Sequence, residues 1–186
     1  MRFVTTAILL LLTAVAADAA VVEDVNVPDS ITVADSALVL NGAGVRKRFF
    51  VKVYVGALYL PSKETKAEAI VNAPGAKSVR LHFLYSEVEA KKLADAWTDG
   101  FKNNSEAEYE ALRSRIERFN AMFRTVKRGE TIFLDLLPAG DTVVTINGER
   151  RGDVAGADFQ KALLKIWLGP KPADEDLKRA MLGAKE

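Results

Sequence analysis

The sequence predicts an α+β fold in which a large antiparallel sheet carries a helical layer on one face. Short β-prone segments come first, stretches with helical spacing interrupt them, and further strands and closing helices follow. The 186 residues are 49% hydrophobic and 27% charged, the balance of a folded domain rather than of a disordered or membrane-embedded chain. No internal repeat or linker divides the sequence, so we expect one domain.

The first residues are typical of a secretory signal peptide. Arg2 precedes an apolar run over residues 3–17, and small residues stand at Ala17 and Ala19. The run of roughly 15 residues is shorter than the ~20 that an uncleaved anchor helix needs to cross a bilayer. We therefore predict a signal peptide over residues 1–19, with cleavage one residue later as the next alternative.

The remaining chain, residues 20–186, is then a single domain in the periplasm or outside the cell, with no integral membrane span. The chain has no cysteine, which excludes a lipid-anchored cysteine, disulfides, thiol nucleophiles and thiolate metal sites. The net charge of +1 gives no whole-molecule field that would attract nucleic acid. The only histidine, His82, lies in an alternating segment without a cluster of carboxylates around it, so we expect no metal site. We expect no other cofactor either.

The N-terminal half is predicted to be mainly strand. Three short β-prone segments, separated by turn residues, come before a long one in which Phe, Val and Tyr crowd both faces. Such a strand is expected in the centre of a sheet, buried on both sides. The predicted elements are strands at Val22–Val27, Ile31–Val33, Ala37–Leu40 and Arg48–Leu60, a helix at Lys63–Asn72 capped by Ser62, and a strand at Val79–Tyr85.

The C-terminal half alternates helices with a hairpin. Two adjoining amphipathic helices begin at Ser86 and at Ser105, where Glu108 completes a capping-box pattern. Asn147-Gly148 is a strong hairpin signal between two later strands. The remaining predicted elements are strands at Thr131–Leu137, Thr142–Ile146 and Arg150–Asp153, a helix from Phe159 to Trp167 ended by Gly169, and a last helix at Asp174–Leu182 capped by Asp174.

Two parts of the sequence resemble one known family. The Gly-x-Gly-x-Arg motif within Leu40–Arg46, followed by the strand Phe50–Leu60, is similar to the start of the chalcone isomerase superfamily, and Ala162–Leu182 resembles its C-terminal helices. The resemblance implies an open-faced β-sandwich with a ligand cleft between sheet and helices. That superfamily contains flavanone-forming isomerases, fatty-acid-binding proteins and non-catalytic relatives, so individual residues must decide the function.

Arg46 and Tyr54 are the candidate ligand-binding residues. Arg46 matches the arginine that binds the anionic ligand in the family, and a guanidinium offers a planar donor fork to a carboxylate. The family's isomerases carry a threonine at the position of Tyr54, whereas its fatty-acid-binding branch carries a tyrosine. The two residues have the same parity along the chain, so both side chains can point to one face. A surface arginine and a core tyrosine are the alternative interpretations.

Other active-site features of the isomerases are missing here. The resemblance places Glu89 and Ala96 where the enzymes have a tyrosine and an asparagine, and Gln160 and Lys161 near the position of a Ser-Thr pair. These departures argue against flavanone chemistry, so we assign no catalytic residue. Lys161 is the third candidate ligand-binding residue, because it could add a second charge for an anionic head group.

The sequence therefore predicts a monomeric, non-catalytic binding protein for a fatty acid or similar apolar carboxylate. An acyl chain would lie against aromatic residues of the helices. The alternatives are an isomerase acting on a chalcone or another enone through Arg46 and Tyr54, and an accessory module that binds another protein through its helical face. The candidate wall residues are Trp97, Phe101, Phe119, Phe123 and Trp167.

Overall fold

An antiparallel sheet packed against a layer of helices makes up the described chain, as the sequence predicts. The structure, a computed structural model, describes residues 19–184. Residues 1–18, which hold most of the predicted signal peptide, lie outside that range. Among the described residues, no helix combines the length and the apolar character needed to cross a bilayer.

The elements follow the predicted order, except that hairpins replace two single strands and two short strands, Glu87–Val88 and Val126–Lys127, were not predicted. The strands of the described chain are β1 (Ala19–Val22), β2 (Val25–Pro28), β3 (Ser30–Val33), β4 (Ser36–Arg48), β5 (Val51–Leu60), β6 (Lys77–Phe83), β7 (Glu87–Val88), β8 (Val126–Lys127), β9 (Thr131–Leu136), β10 (Thr142–Ile146) and β11 (Glu149–Val154). The helices are α1 (Ala67–Asn72), α2 (Ala90–Asn104), α3 (Glu106–Asn120), α4 (Ala157–Leu168) and α5 (Glu175–Met181).

Seven strands form the large sheet, in the order β11-β10-β9-β6-β5-β4-β3. Every neighbouring pair in it is antiparallel. Strands β1 and β2 form a separate hairpin, and β7 pairs with β8. β5 therefore lies centrally, between β4 and β6, which is the position its sequence predicts.

The sheet has an apolar cluster on each face. Alternate residues of β5, such as Tyr54 and Leu58, belong to the large core shared with the helices. The residues between them, Val55, Ala57 and Tyr59, belong to a second cluster shared with the N-terminal strands. β5 is buried from Tyr54 to Leu60, so the predicted burial on both sides is confirmed for this part of the strand.

Two predicted strands are hairpins instead. The segment Val22–Val27 turns at Glu23 and Asp24, whose φ angles are 51° and 63°. The segment Arg48–Leu60 is also divided, because Phe49 and Phe50 form a two-residue turn between β4 and β5. Neither turn contains a glycine or proline, and in the second turn the two phenylalanines continue the β-prone pattern of the flanking strands.

Helix starts also differ from prediction. Ser62 does not cap α1, which begins after Lys66, because Asn41 accepts a hydrogen bond from the Glu64 backbone N–H at 2.8 Å and holds the preceding segment. The capping box at Ser105 is not formed, and the Ser105 hydroxyl is buried without a partner among the described residues. The Asp174 cap is confirmed, since its carboxylate accepts from the Leu177 N–H at 2.9 Å.

The two glycines of the Gly-x-Gly-x-Arg motif let α5 lie directly on β4. A Cβ at Gly42 would stand 2.0 Å from the backbone oxygen of Ala180, and one at Gly44 would stand 2.5 Å from the Ala180 Cβ. Gly56, the cross-strand partner of Gly44, faces Leu177 and Met181 of the same helix. The motif therefore serves close packing of a helix on a strand, and α5 lies beside Arg46.

This packing predicts different outcomes for two similar substitutions. Gly44→Ala should destabilise the protein by about 2 kcal/mol, because it overpacks the contact with the Ala180 side chain. Ala180→Gly removes that side chain and should recover part of the loss, although a glycine inside a helix costs about 1 kcal/mol itself. Gly42→Ala should not be rescued, because its clash is with a backbone oxygen.

Urea unfolding of the single and double variants measures both couplings. We expect a coupling energy between positions 44 and 180 and almost none between positions 42 and 180. Equal rescue of both glycine variants by Ala180→Gly would contradict this account of the motif.

Candidate functional site

Arg46 and Tyr54 are direct partners across β4 and β5. Cross-strand partners point to the same face, and here that face is the one covered by helices. The guanidinium carbon of Arg46 lies 5.6 Å from the centre of the Tyr54 ring, within the range of a cation–π contact. The predicted shared face is thus present, but it arises from pairing across a hairpin and not from parity along one strand.

The Tyr54 hydroxyl connects the sheet to the helical layer. Tyr54 is only 4% exposed, and its hydroxyl accepts a hydrogen bond from the Trp167 indole N–H at 2.9 Å. Trp167 lies in the last turn of α4, and Phe83 of β6 packs against Tyr54 edge to face. No hydrogen bond among the described residues uses the phenol proton of Tyr54, so that proton is available to an acceptor.

Arg46 carries a buried donor without an acceptor. Its Nε is buried and has no hydrogen-bond partner among the described residues, and no carboxylate of that part of the chain forms an ion pair with the guanidinium. Asp174 lies nearby, but its two oxygens already accept from the backbone N–H groups of Lys47, at 2.8 Å, and Leu177. A buried donor left in this state is costly unless another group satisfies it.

Arg80, on the opposite face of the sheet, provides a contrast. Its guanidinium lies 3.9 Å from the centre of the Phe133 ring and 3.4 Å from an Asp135 carboxylate oxygen. It also contacts the Ser78 hydroxyl at 3.3 Å. Arg80 therefore has a carboxylate partner within the protein, whereas Arg46 has none among the described residues.

The predicted wall residues fill the space between sheet and helices. All of them are buried, and their rings contact one another, with centroids 5.7 Å apart for Trp97 and Trp167 and 4.8 Å apart for Phe119 and Phe123. The Trp97 indole N–H is buried and has no acceptor among the described residues. The region next to Tyr54 is thus closely packed, where the resemblance implied a cleft.

Two cavities lie away from Arg46 and Tyr54. One, of about 250 Å³, lies on the opposite face of the sheet between the N-terminal strands and β5, β6 and β9; it is mainly apolar, and His82 and Arg80 line part of it. The other, of about 580 Å³, is lined by charged residues of both signs from α2 and α3. Arg113 and Glu110 pair in the second cavity at 2.5 Å, which makes it unsuitable for an apolar acid.

Lys161 is not brought together with Arg46 and Tyr54. It is an exposed residue of α4 beside Lys77, whose pKa is lowered by burial and by the charge of Lys161. Lys77 begins β6 and Phe83, next to Tyr54, ends it, so the two ends are separated by about 20 Å. The adjacent Gln160 donates its amide to the Leu137 and Asp141 carbonyls, a structural role.

Sequence reasoning missed the hydrogen-bonding role of the tryptophans. It placed Trp97 and Trp167 as apolar walls, because their spacing in the helices indicates only that they face the core. It also identified Asp174 only as a helix cap, although the same carboxylate fixes β4 beside Arg46. Each tryptophan in a core stripe brings an indole N–H that needs an acceptor, and this is the signal that could have identified these donors.

Burial keeps Tyr54 protonated. Loss of solvent raises its pKa above the usual 10.0, the positive charge of Arg46 and the Trp167 hydrogen bond lower it, and Asp174 raises it. Burial outweighs the lowering effects, so the pKa is raised. Tyr54 is therefore a neutral donor at physiological pH, not a base.

The raised pKa predicts a loss of stability in alkaline solution. Above pH 10.0 the unfolded chain releases the phenol proton while folded Tyr54 retains it, so the free energy of unfolding falls as pH rises. Tyr54→Phe should reduce the slope by up to about 1.4 kcal/mol per pH unit. Burial also raises the pKa of Tyr59, to about 12, so Tyr59→Phe allows the same measurement at a second buried tyrosine.

Urea unfolding between neutral and alkaline pH, combined with tyrosinate absorbance, measures this effect. Each single variant should remove one late-titrating tyrosine. A slope that Tyr54→Phe leaves unchanged would contradict the assignment of Tyr54 as a buried neutral phenol.

Comparison with known proteins agrees with this architecture. A fatty-acid-binding protein of Arabidopsis thaliana has a similar crystal structure, with a TM-score of 0.72 and 19% sequence identity over 89% of this chain and 96% of that chain. At this identity the similarity shows the fold. No curated protein matches the sequence.

The sequence also matches the family described as chalcone isomerase-like over residues 19–183. This match includes the Gly-x-Gly-x-Arg motif, the β4–β5 hairpin and both C-terminal helices. The chain therefore belongs to the chalcone isomerase-like family.

Proposed function

We propose that this protein is an exported, non-catalytic binding protein for a fatty acid or a similar apolar carboxylate. The observation that carries the proposal is Arg46, whose buried Nε has no acceptor among the described residues and whose guanidinium carbon lies 5.6 Å from the centre of the Tyr54 ring. Export rests on the signal-peptide pattern of residues 1–19, and the name of the structural neighbour supports the ligand class.

A carboxylate matches the donors at this position. The Arg46 guanidinium can donate to it and neutralise its charge, and the Tyr54 phenol, which stays protonated, can donate a second hydrogen bond. Burying a carboxylate without such partners would cost several kcal/mol. The polar end of the ligand is therefore expected at β4 and β5, where both donors face the helices.

The acyl chain is expected to lie among the aromatic residues of α2 and α4. Each methylene removed from water contributes about 0.8 kcal/mol, before the cost of ordering the chain is subtracted. Because aromatic rings fill this space, the acyl chain has to displace some of them. The unpartnered N–H of Trp97 lies in the same layer, so movement of this ring breaks no hydrogen bond that it makes within the described chain.

Removing the Arg46 charge should weaken binding of acids but not of alcohols. Arg46→Met keeps much of the side-chain length while it removes the guanidinium. We expect the Kd for dodecanoic acid to rise about 10- to 100-fold, because a charge-assisted hydrogen bond contributes about 1.5–3 kcal/mol, and the Kd for dodecanol to change little. Isothermal titration calorimetry measures both constants.

Arg48→Met is the matched control, because Arg48 is exposed two residues further along the same strand. It removes the same charge without touching Tyr54 and should leave both constants close to wild type. Equal weakening of acid and alcohol by Arg46→Met would argue against a carboxylate at this residue.

Native mass spectrometry of protein purified without detergent tests which ligand the protein carries when it is isolated from cells. We expect a fatty acid to accompany the wild-type protein and to be lost from Arg46→Met. Turnover of a chalcone that disappears in Arg46→Met would instead support the isomerase alternative.

A further inference from the structure

The turn between β4 and β5 exposes two adjacent aromatic side chains. Phe49 is 88% exposed and Phe50 is 101% exposed, and Val51 beside them is 45% exposed. Tyr85 extends this surface: it is 44% exposed, and its backbone N–H donates to the Val53 carbonyl. Among the described residues these four are most of the large hydrophobic side chains left in water, and three of them are consecutive.

Basic residues flank the aromatic pair. Lys47, Arg48 and Lys52 enclose it in the sequence KRFFVK, which we call the hairpin tip (residues 47–52). Two carboxylates contact the tip: Glu23 pairs with the Lys52 amine at 2.5 Å, and Asp174 accepts from the Lys47 backbone N–H. The tip therefore keeps a local positive charge although the whole chain is nearly neutral.

The tip is locally unfavourable as a turn. Phe49 has a φ of 56°, a conformation that glycine and asparagine adopt readily and a bulky side chain does not. Lys47 and Lys52 are also direct cross-strand partners, an arrangement in which like charges destabilise the pair. These three features, the exposed aromatic pair, the strained backbone and the opposed lysines, all lower the stability of the folded protein. Their presence in one turn therefore favours a role in binding.

We propose that the hairpin tip docks the protein on a lipid bilayer that contains anionic headgroups. The two phenyl rings enter the boundary between headgroups and acyl chains, while the lysine ammonium and arginine guanidinium groups stay among the phosphates. The proposal is independent of the fatty-acid site, although it places Arg46, directly before the tip, close to the bilayer surface.

A second copy of this chain is a poorer partner for the tip. Six residues bury much less than the roughly 1,200 Å² of a stable protein interface. A symmetric contact would also bring the basic residues of two tips together. An anionic bilayer complements both the apolar and the basic part of the tip.

Co-sedimentation with vesicles tests the proposal. The protein is collected from the cells that produce it, and its N terminus is read by intact mass so that it is the same in every variant. Wild type should bind vesicles of phosphatidylcholine with phosphatidylglycerol about tenfold more tightly than vesicles of phosphatidylcholine alone, and salt should weaken this preference. No fatty acid is added, so the result does not depend on the proposed function.

Two variants separate the apolar contribution from the electrostatic one. Phe49→Gly with Phe50→Ser should weaken binding to anionic vesicles at least tenfold, and the glycine relieves the positive φ, so the variant should fold. Lys47→Gln with Arg48→Gln should remove most of the preference for phosphatidylglycerol. Val39→Ser is the control. Val39 is partly exposed and lies near the start of β4, far from the hairpin tip, so this variant should bind like wild type.

Failure of wild type to bind anionic vesicles would overturn the proposal. So would binding of the double variant Phe49→Gly, Phe50→Ser as tightly as wild type. Sedimentation velocity in the absence of lipid covers the remaining case. If wild type is a dimer, the double variant Phe49→Gly, Phe50→Ser is a monomer and neither binds vesicles, the tip serves self-association and the proposal is overturned.

Discussion

The close approach of α5 to β4 is the constraint on which the candidate site depends. It is possible only because Gly42 and Gly44 present bare backbone to the helix, with Gly56 beside them on β5. Once α5 lies there, its capping carboxylate, Asp174, reaches the Lys47 backbone and fixes the strand one residue from Arg46. The close packing of α5 on β4 thus determines where the guanidinium lies, and Asp174 is engaged by backbone donors instead of neutralising it.

The sheet separates two arginines with different surroundings. Arg80 is paired with Asp135 and stacked on Phe133, so it contributes to the structure of its own face. Arg46 faces the helices, contacts Tyr54 and has no paired carboxylate in the described part of the chain. A guanidinium left in that state, beside a phenol held neutral by burial, has the chemistry of an anion-binding position.

Much of the fold followed from periodicity, and the errors have physical causes. The amphipathic helices, the hairpin at Asn147 and the Asp174 cap were predicted because each has a strong local signal. The β4–β5 turn was missed because Phe49 and Phe50 belong to the residue types that favour strands. Arg46 and Tyr54 were placed on one face, but the pairing of Tyr54 with Trp167 and the unpaired Arg46 Nε result from tertiary packing, which no local pattern encodes.

The two tryptophans have a practical consequence. They are the only ones in the chain, and both belong to the aromatic layer at the candidate site, with the Trp167 N–H bound directly to Tyr54. The tryptophan fluorescence of the protein therefore comes entirely from the region where a ligand would have to rearrange the rings. Entry of a ligand there would change the emission of both tryptophans. Ligand binding could then be followed by tryptophan fluorescence without a label and without a signal from distant tryptophans.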